Sequence, residues 1–592
     1  MHKMLNIKID GKPVKVPENH TILQAADEAG IHIPRLCYHP KLPAIGACRV
    51  CIVEVEGMKQ YPPACCTKVN EGMNIRTNTP NIRMARRDIV ELILDNHPRN
   101  CQICEKNNNC ELQSLANTLG VREFRYEGER KKYNADSSFS LTRDPEKCIL
   151  CGKCVRVCAQ IQGVNALTYA YRGFKSTVMP AFNLPIQDSV CINCGQCTLF
   201  CPTAALMEKD STEEVWKNLH DPEKTVIVQI APAVRVAIGE AFGLPPGTDK
   251  TGATVTALRM LGFDVIFDTQ FSADLTIMEE GHELIERIKQ NGKLPMFTSC
   301  CPGWVKFCEH FHPDFLDNIS TCKSPQQMMG ALIKTYYAKK STIPKEKIYS
   351  VSIMPCTAKK FEATRPEMNS SGFRDVDAVL TTRELIKMIR QAGIQFEKLA
   401  DSEFDDPLGE STGAATIFGV TGGVMEAALR TAYEVLTCNE LPGIDFKPVR
   451  GMEGIREATV EINDMKINVA VLYSLSNVNK ILSEIRAGKR NYHFIEIMAC
   501  PGGCLGGGGQ PYPQGATDPL DKQFYQQRAQ GLYHIDQNKK YRKSHVNPQI
   551  SKIYQDFLTQ PLGSVSHELL HTHYHVRTPR GITHISEETV SL

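Results

Sequence analysis

Short apolar runs set off by polar or glycine turns recur along the chain, and their arrangement changes near residue 225. Upstream, residues 5–9 and 14–16 alternate apolar and polar positions around Asp10-Gly11, which predicts a β-hairpin. Residues 21–29 carry helical spacing and stop at Gly30, a residue suited to the left-handed turn that closes a helix. Residues 82–96 read as a second helix, and the charged, poorly periodic stretch 127–138 reads as a linker. Downstream, apolar runs at 226–230, 265–268, 295–298, 349–354, 469–472 and 494–498 read as buried parallel strands. Residues 251–261, 274–289 and 384–392 have helical periodicity, so this half predicts an α/β domain.

Three of these strands run into cysteine stretches: Thr298-Ser-Cys-Cys-Pro-Gly-Trp304, Met354-Pro-Cys-Thr-Ala-Lys359 and Met498-Ala-Cys-Pro-Gly-Gly-Cys504. Ligands of open α/β sheets collect beyond the carboxyl ends of strands, so the three stretches can share one cavity. Four thiolates in a dry pocket suit an iron-sulfur cluster. Zinc competes, although its four-cysteine sites usually draw on two close pairs and only Cys500 and Cys504 come near that. The three stretches closely resemble the signature motifs of the iron-only ([FeFe]) hydrogenases, and the resemblance covers nearly the whole chain. It implies that Cys301, Cys356, Cys500 and Cys504 hold a cubane [4Fe-4S] unit. Cys504 would bridge it to a two-iron subsite with carbon monoxide, cyanide and an azadithiolate, completing the H-cluster.

The other cysteines fall into groups of their own. Cys37, Cys48, Cys51 and Cys65 form a tight pair flanked by distant single residues, the arrangement a plant-type [2Fe-2S] loop needs; Cys66 could replace Cys65, which is preferred. Cys148, Cys151, Cys154 and Cys158, then Cys191, Cys194, Cys197 and Cys201, repeat C-x2-C-x2-C-x3-C. In that bacterial-ferredoxin pattern the fourth cysteine crosses over, giving one [4Fe-4S] site from Cys148, Cys151, Cys154 and Cys201 and another from Cys191, Cys194, Cys197 and Cys158. Zinc knuckles are the competing reading. His97, Cys101, Cys104 and Cys110 resemble the His-ligated [4Fe-4S] domain shared by these hydrogenases and an iron-sulfur subunit of respiratory complex I. Cys66, Cys308, Cys322 and Cys438 read as small buried hydrophobes.

Length and charge narrow the rest. At 592 residues the chain needs several cores. The expected organisation is multidomain α+β and α/β: a β-grasp [2Fe-2S] domain over 1–79, a His-ligated [4Fe-4S] domain over 80–126 and a ferredoxin-like 2[4Fe-4S] domain over 138–210. A two-lobed α/β hydrogenase domain over 223–515 follows, with a small-subunit-like segment, 516–592, packing on it. With 68 basic and 66 acidic residues there is no basic excess to attract nucleic acid. The runs Arg130-Lys-Lys132 and Lys539-Lys-Tyr-Arg-Lys543 read as solvated surface; the four histidines His567, His571, His573 and His575 can make a metal site, but the series His571, His573 and His575 is preferred as surface. No secretory signal or eighteen-residue apolar run is present, and 24 cysteines in CxxC-type groups point to a reducing compartment, so a cytoplasmic protein without a membrane span is expected.

The resemblance also implies roles outside the ligand set. A proton path would run Arg287, Glu283, Ser320, Glu280, Cys300, with Cys300 the last protein donor; the competing reading leaves Glu280 and Glu283 solvated on a surface helix. Lys359 would hydrogen-bond one cyanide, Gln326 would lie near the bridging carbonyl, and Ala231, Pro232 and Ala233 near the other cyanide. Met354, Phe418 and Met498 would pack the wall. The implied reaction is reversible hydrogen formation, with ferredoxin as electron partner, or NADH/FMN-binding and [2Fe-2S] subunits of an electron-bifurcating complex. Maturation proteins would install the two-iron subsite. A non-catalytic iron-sulfur carrier or hydrogen sensor is the alternative.

Overall fold

In the computed structural model, residues 3–126, 128–440, 443–462, 465–513 and 518–578 are described. Position 127 of the expected linker and parts of the expected C-terminal segment, 516–517 and 579–592, lie outside them.

The amino-terminal hairpin forms between Met4–Ile9 and Lys12–Pro17, and a four-stranded sheet is completed by Asn74–Arg76 and Glu54–Val55. Helix Ile22–Glu28 packs apolar residues on this sheet and begins in a capping box, with Thr21 and Gln24 satisfying each other's backbone amides. Helix Pro80–Asp95 then leads to the His97 segment. The ferredoxin repeat carries few regular elements and shares one apolar core with the second sheet of the catalytic half. The expected linker is partly ordered, because Asp136–Ser137 pairs with Leu141–Arg143.

Two four-stranded sheets build the catalytic half. The first is all parallel, in the order Val265–Asp268, Thr225–Ile230, Ile348–Met354, Ala378–Thr381. The chain turns to opposite sides of Thr225–Ile230, so a switch point opens at the carboxyl ends of that strand and Ile348–Met354. The second sheet orders Met296–Phe297, Phe494–Met498, Met465–Tyr473 and Ile455–Ile462, the last antiparallel. That edge strand was not foreseen. The expected strand at 295–298 is shorter, since Pro295 has no N–H for the ladder, yet Thr298 still donates to the Ile495 carbonyl at 3.1 Å. Both sheets aim their carboxyl ends at the same interior space.

Helix Thr269–Lys289 runs beneath it, capped by the Asp268 side chain, and is longer than its predicted 274–289. From Thr269 to Arg287 it spans roughly 27 Å. It therefore connects the interior to the periphery. The helices at 522–570 wrap the same half: Arg528 is buried against Glu240 at 2.7 Å, and Asp536 pairs with buried Arg430 at 2.9 Å.

Several expectations for lone residues are corrected. Cys308 and Cys322 are buried, but Cys66 and Cys438 are exposed. Cys66 sits in the turn that carries Cys65 inward, and Cys438 ends helix Gly423–Thr437 in the left-handed region at φ 55°. Arg542 and Lys543 are half-buried rather than solvated, drawn in by Asp536 and Glu434. His571 is buried while His573 and His575 are exposed, because the Thr572 amide donates to the Thr321 carbonyl at 2.7 Å and Glu279 holds the imidazole at 3.1 Å.

The ferredoxin repeat meets the catalytic half backbone to backbone at Gly508. A β-carbon there would lie 2.3 Å from the Cys194 carbonyl oxygen and 2.7 Å from Gly195 Cα. Gly508→Ala should therefore force the two apart at a cost of about 1–3 kcal/mol. The onset of thermal unfolding should fall by several degrees; an unshifted transition would contradict this packing.

Candidate active site and iron-sulfur sites

The interior space between the two sheets is a cavity. Cys301, Cys356, Cys500 and Cys504 all line it, with Cys300, Lys359, Gln326, Met354, Phe418 and Met498. Ala231, Pro232 and Ala233 form the wall where Thr225–Ile230 ends, and the Ala231 amide is fixed by the Ile353 carbonyl at 3.0 Å. Each cysteine arrives for a local reason. Cys301 precedes helix Pro302–Phe311, Cys356 follows Ile348–Met354, and Cys500 follows Phe494–Met498. Cys504 lies in the tight turn Gly503–Gly506, where Gly503 has φ +81° and a β-carbon would come within 2.8 Å of the Thr421 amide.

Burial pushes all four thiols up, and neighbouring thiols add to it at three of them: Cys356 acts on Cys500 and Cys504, and Cys301 on Cys356. Thiolates crowded in a dry space repel one another, and a cationic group bound among them is what offsets that cost. The donor set thus fits an iron-sulfur cluster.

A polar frame surrounds it. Lys359 donates to the Cys300 carbonyl at 3.1 Å and pairs with Glu362 at 2.9 Å. Burial works against the Lys359 charge, but Glu362 and the neighbouring Cys356 and Cys300 outweigh it and raise its pKa. Glu362 Oε2 also accepts from Ser324 Oγ at 2.8 Å and Gln326 Nε2 at 3.0 Å, while Ser352 Oγ donates to Gln326 Oε1 at 2.7 Å. Glu362 escaped the sequence reading. Its position three residues after Lys359 in helix Ala358–Glu362 was the available signal.

Glu280 and Glu283 are buried, at 1% and 8% exposure, so the surface-helix reading fails. Arg287 Nη2 donates to Glu283 Oε1 at 2.6 Å, and Ser320 Oγ donates to Glu283 Oε2 at 2.7 Å. Among the described residues neither oxygen of Glu280 has a partner within hydrogen-bonding distance; the Ser299 amide and Ser320 hydroxyl lie near enough to favour its charge slightly. Burial, then Glu283, pushes Glu280 up to about 8. Burial and Glu280 likewise keep Cys300 a protonated thiol. Arg287, Glu283 and Ser320 are thus joined by hydrogen bonds, with Arg287 half-buried, while Glu280 lies near Ser320 and acts on Cys300 at the cavity without a hydrogen bond of its own.

The other cysteine groups also converge. Cys37 touches Cys48 and Cys65, and Cys65 touches Cys51; Cys66 Sγ is 3.6 Å from Cys65 Sγ, but Cys66 is exposed at the surface while the other four are buried. Cys148, Cys151, Cys154 and Cys201 line one apolar pocket. Cys191, Cys194, Cys197 and Cys158 crowd one another, each of the first three thiols being raised by burial. His97 shares a pocket with Cys101, Cys104 and Cys110. Its Nδ1 is buried without a partner among the described residues, and burial, then Lys147, lowers the imidazole pKa to about 4. A neutral imidazole with a free nitrogen among three cysteines fits a fourth iron ligand. Two cations join these sites and were missed in the sequence: Arg156 donates to the carbonyls of Cys37 at 2.6 Å and Cys151 at 3.1 Å, and Lys106 to that of Cys201 at 2.7 Å. At the inner end, a β-carbon on Gly303 would meet Ala499 and, at 3.9 Å, Cys194.

Comparison with known proteins agrees with this geometry. Residues 224–508 match the iron only hydrogenase large subunit, C-terminal domain, and residues 522–577 the iron hydrogenase small subunit. A 2Fe-2S iron-sulfur cluster binding domain matches 2–80, the NADH-ubiquinone oxidoreductase-G iron-sulfur binding region 86–125, and a 4Fe-4S dicluster domain 147–205. The chain belongs to the iron-only hydrogenase family and is a hydrogenase, an oxidoreductase. It is 51% identical to the NADP-reducing hydrogenase subunit HndD of Solidesulfovibrio fructosivorans, over 97% of this chain and 99% of that one. Iron hydrogenase 1 of Clostridium pasteurianum is 44% identical, over 96% and 100% of the two chains. Among solved structures, a variant of the [FeFe]-hydrogenase HydA1 of Chlamydomonas reinhardtii superposes with a TM-score of 0.56 at 41% identity, over 62% of this chain and 99% of that one. No helix among the described residues is long and apolar enough to cross a membrane.

Two outcomes follow from the charges. His97→Cys replaces a neutral donor by a thiolate and should lower the potential of one cluster in a spectroelectrochemical titration; potentials all unmoved would defeat the assignment. The neutral form of Glu280 is favoured by burial, so its contribution to stability is full at low pH and lost as pH rises through about 8. A protonated-carboxyl infrared band should fade with that midpoint and be missing in Glu280→Gln. The same band in the variant would assign it elsewhere.

Proposed function

We propose that this hydrogenase interconverts molecular hydrogen with protons and electrons at an H-cluster held by Cys301, Cys356, Cys500 and Cys504. When bound, that group supplies the redox-active iron and the acid–base amine at which hydrogen is made or split. Lys359 and Gln326, fixed by Glu362, offer donors to its diatomic ligands, and Met354, Phe418 and Met498 keep water away. Cys300 hands a proton into the cavity, is recharged by Glu280, and Ser320 and Glu283 reload Glu280 from Arg287's side. The hydrogen-bonded run Arg287–Glu283–Ser320, leading to a buried Glu280 that burial holds near neutrality beside the Cys300 thiol, supports this reading most strongly, since a relay carboxyl works best when poised near ambient pH. A carrier or sensor has no need of it.

Electrons would travel the remaining sites. The [2Fe-2S] site and the His97 site both adjoin the Cys148 site, through Arg156 and Lys106, and the Cys191 site lies between it and the cavity. Two outer sites feeding one inner line suit a subunit with more than one electron partner. The likeness to an NADP-reducing hydrogenase subunit favours a heteromeric complex in which another subunit handles the pyridine nucleotide, with ferredoxin as a second partner. The Cys300→Ala variant should keep its iron content and the carbonyl and cyanide infrared bands but lose at least about 99% of turnover, on the scale of 10²–10⁴-fold expected for a removed proton donor. Full activity would overturn the relay.

A further inference from the structure

Sharing Glu283 with the relay, and outside every cysteine group assigned above, three side chains of unlike chemistry meet. Glu283 comes from helix Thr269–Lys289, Cys322 from the segment after Ser320, and His571 from the end of helix Ser564–Leu570. One ligand atom from each lies within 4.8 Å of the other two, and all three residues are buried. Cys322 Sγ is 3.8 Å from Glu283 Oε2 and 4.0 Å from His571 Nδ1. Zinc bonds of about 2.0–2.3 Å at tetrahedral angles put neighbouring donors roughly 3.5 Å apart, so the two distances to Cys322 Sγ, 3.8 and 4.0 Å, lie close to those of a filled site and the Glu283–His571 pair, within 4.8 Å, closes by side-chain rotation.

A second observation points the same way. His571 Nε2 is held by Glu279 Oε2 at 3.1 Å, and Glu279 is itself bound by the Tyr554 and Ser566 hydroxyls and the Leu562 amide. A carboxylate on the far ring nitrogen places the proton there, which leaves Nδ1 an unprotonated acceptor 4.0 Å from Cys322 Sγ. The Thr321 hydroxyl, 2.8 Å away, can donate to that nitrogen. This carboxylate–histidine arrangement is the usual support of a metal-bound imidazole. Charge also balances: a dication with one thiolate, one carboxylate and a neutral imidazole sums to zero, the state a buried site tolerates best.

We propose that Glu283, Cys322 and His571 form a binding site for a divalent ion of borderline softness, Zn2+ or Cd2+, whose occupancy switches off the proton relay. Binding exchanges the Cys322 thiol proton for the metal, so one proton leaves as the sulfur–metal bond forms and no redox change occurs. Water or the Thr321 hydroxyl completes the coordination. The metal takes Glu283 Oε2, the atom that now accepts from Ser320, and so removes one link of the path while Arg287 keeps Oε1. Burial and the three neighbouring glutamates, Glu283, Glu280 and Glu279, hold Cys322 protonated in the metal-free protein, so binding should tighten as pH rises. The site stands on its geometry alone; the inhibition rests on the relay proposed above.

The test adds zinc chloride to anaerobic holoenzyme and measures retained zinc after gel filtration, X-ray absorption at the zinc edge, and hydrogen turnover. One tightly held zinc per chain with a single sulfur neighbour, and turnover suppressed and restored by a chelator with the carbonyl and cyanide bands unchanged, is expected. Cys322→Ala and His571→Ala, neither in the relay, should keep zinc-free turnover and raise the zinc needed for half-inhibition by at least about tenfold. Cys322→Ser guards against a packing defect: it should fold like the parent and still lose the zinc. Zinc not retained, or retained equally by the variants, overturns the site. Zinc retained at this site without inhibition upholds it and overturns the relay instead.

Discussion

The constraint on which the rest depends is electrostatic: four thiols from distant parts of the chain must sit together in a space that excludes water. Thiolates there repel one another and lose hydration, so the fold holds them only because rigid elements deliver each one. Parallel strands do this well. The carboxyl ends of Ile348–Met354 and Phe494–Met498 are fixed by ladders on both sides and that of Met296–Phe297 by one, and two sheets facing one space supply the turns that carry Cys301, Cys356 and Cys500.

The same geometry organises everything around the cavity. The helix beneath it starts at the wall with Thr269 and Ala273 and ends near the periphery with Arg287, so a proton path costs no additional element. Glu362 binds Lys359, Ser324 and Gln326 at one carboxylate oxygen, locking three polar groups that would otherwise be free to rotate. On the opposite side the ferredoxin repeat is not a loose appendage. It shares a core with the second sheet and touches the cavity rim at Cys194, Gly195 and Gly508.

Much of this could be read from the sequence because cysteine spacing is a local signal and buried parallel strands leave unbroken apolar runs. The strands at 226–230, 349–354 and 494–498 are in place, and every cavity residue named from the motifs lines the cavity. What escaped was set by long-range contact. Arg156 and Lys106 act through backbone carbonyls far along the chain, and nothing in their neighbourhoods announces it. His571 looked like terminal surface until Glu279 and Thr321 enclosed it, and Cys66 and Cys438 could not be told from buried cysteines by composition. Strand Ile455–Ile462 is half-exposed, at the sheet's edge, and so lacks the apolar run that marked its neighbours.

The central claim is that Cys301, Cys356, Cys500 and Cys504 seat one iron cluster. Anomalous diffraction at the iron edge from anaerobically grown crystals tests it most directly. The account predicts iron density bounded by those four sulfurs, continuing on the Cys504 side toward Lys359 and Cys300. A cavity without iron, or iron bound by some other set of cysteines, would contradict it.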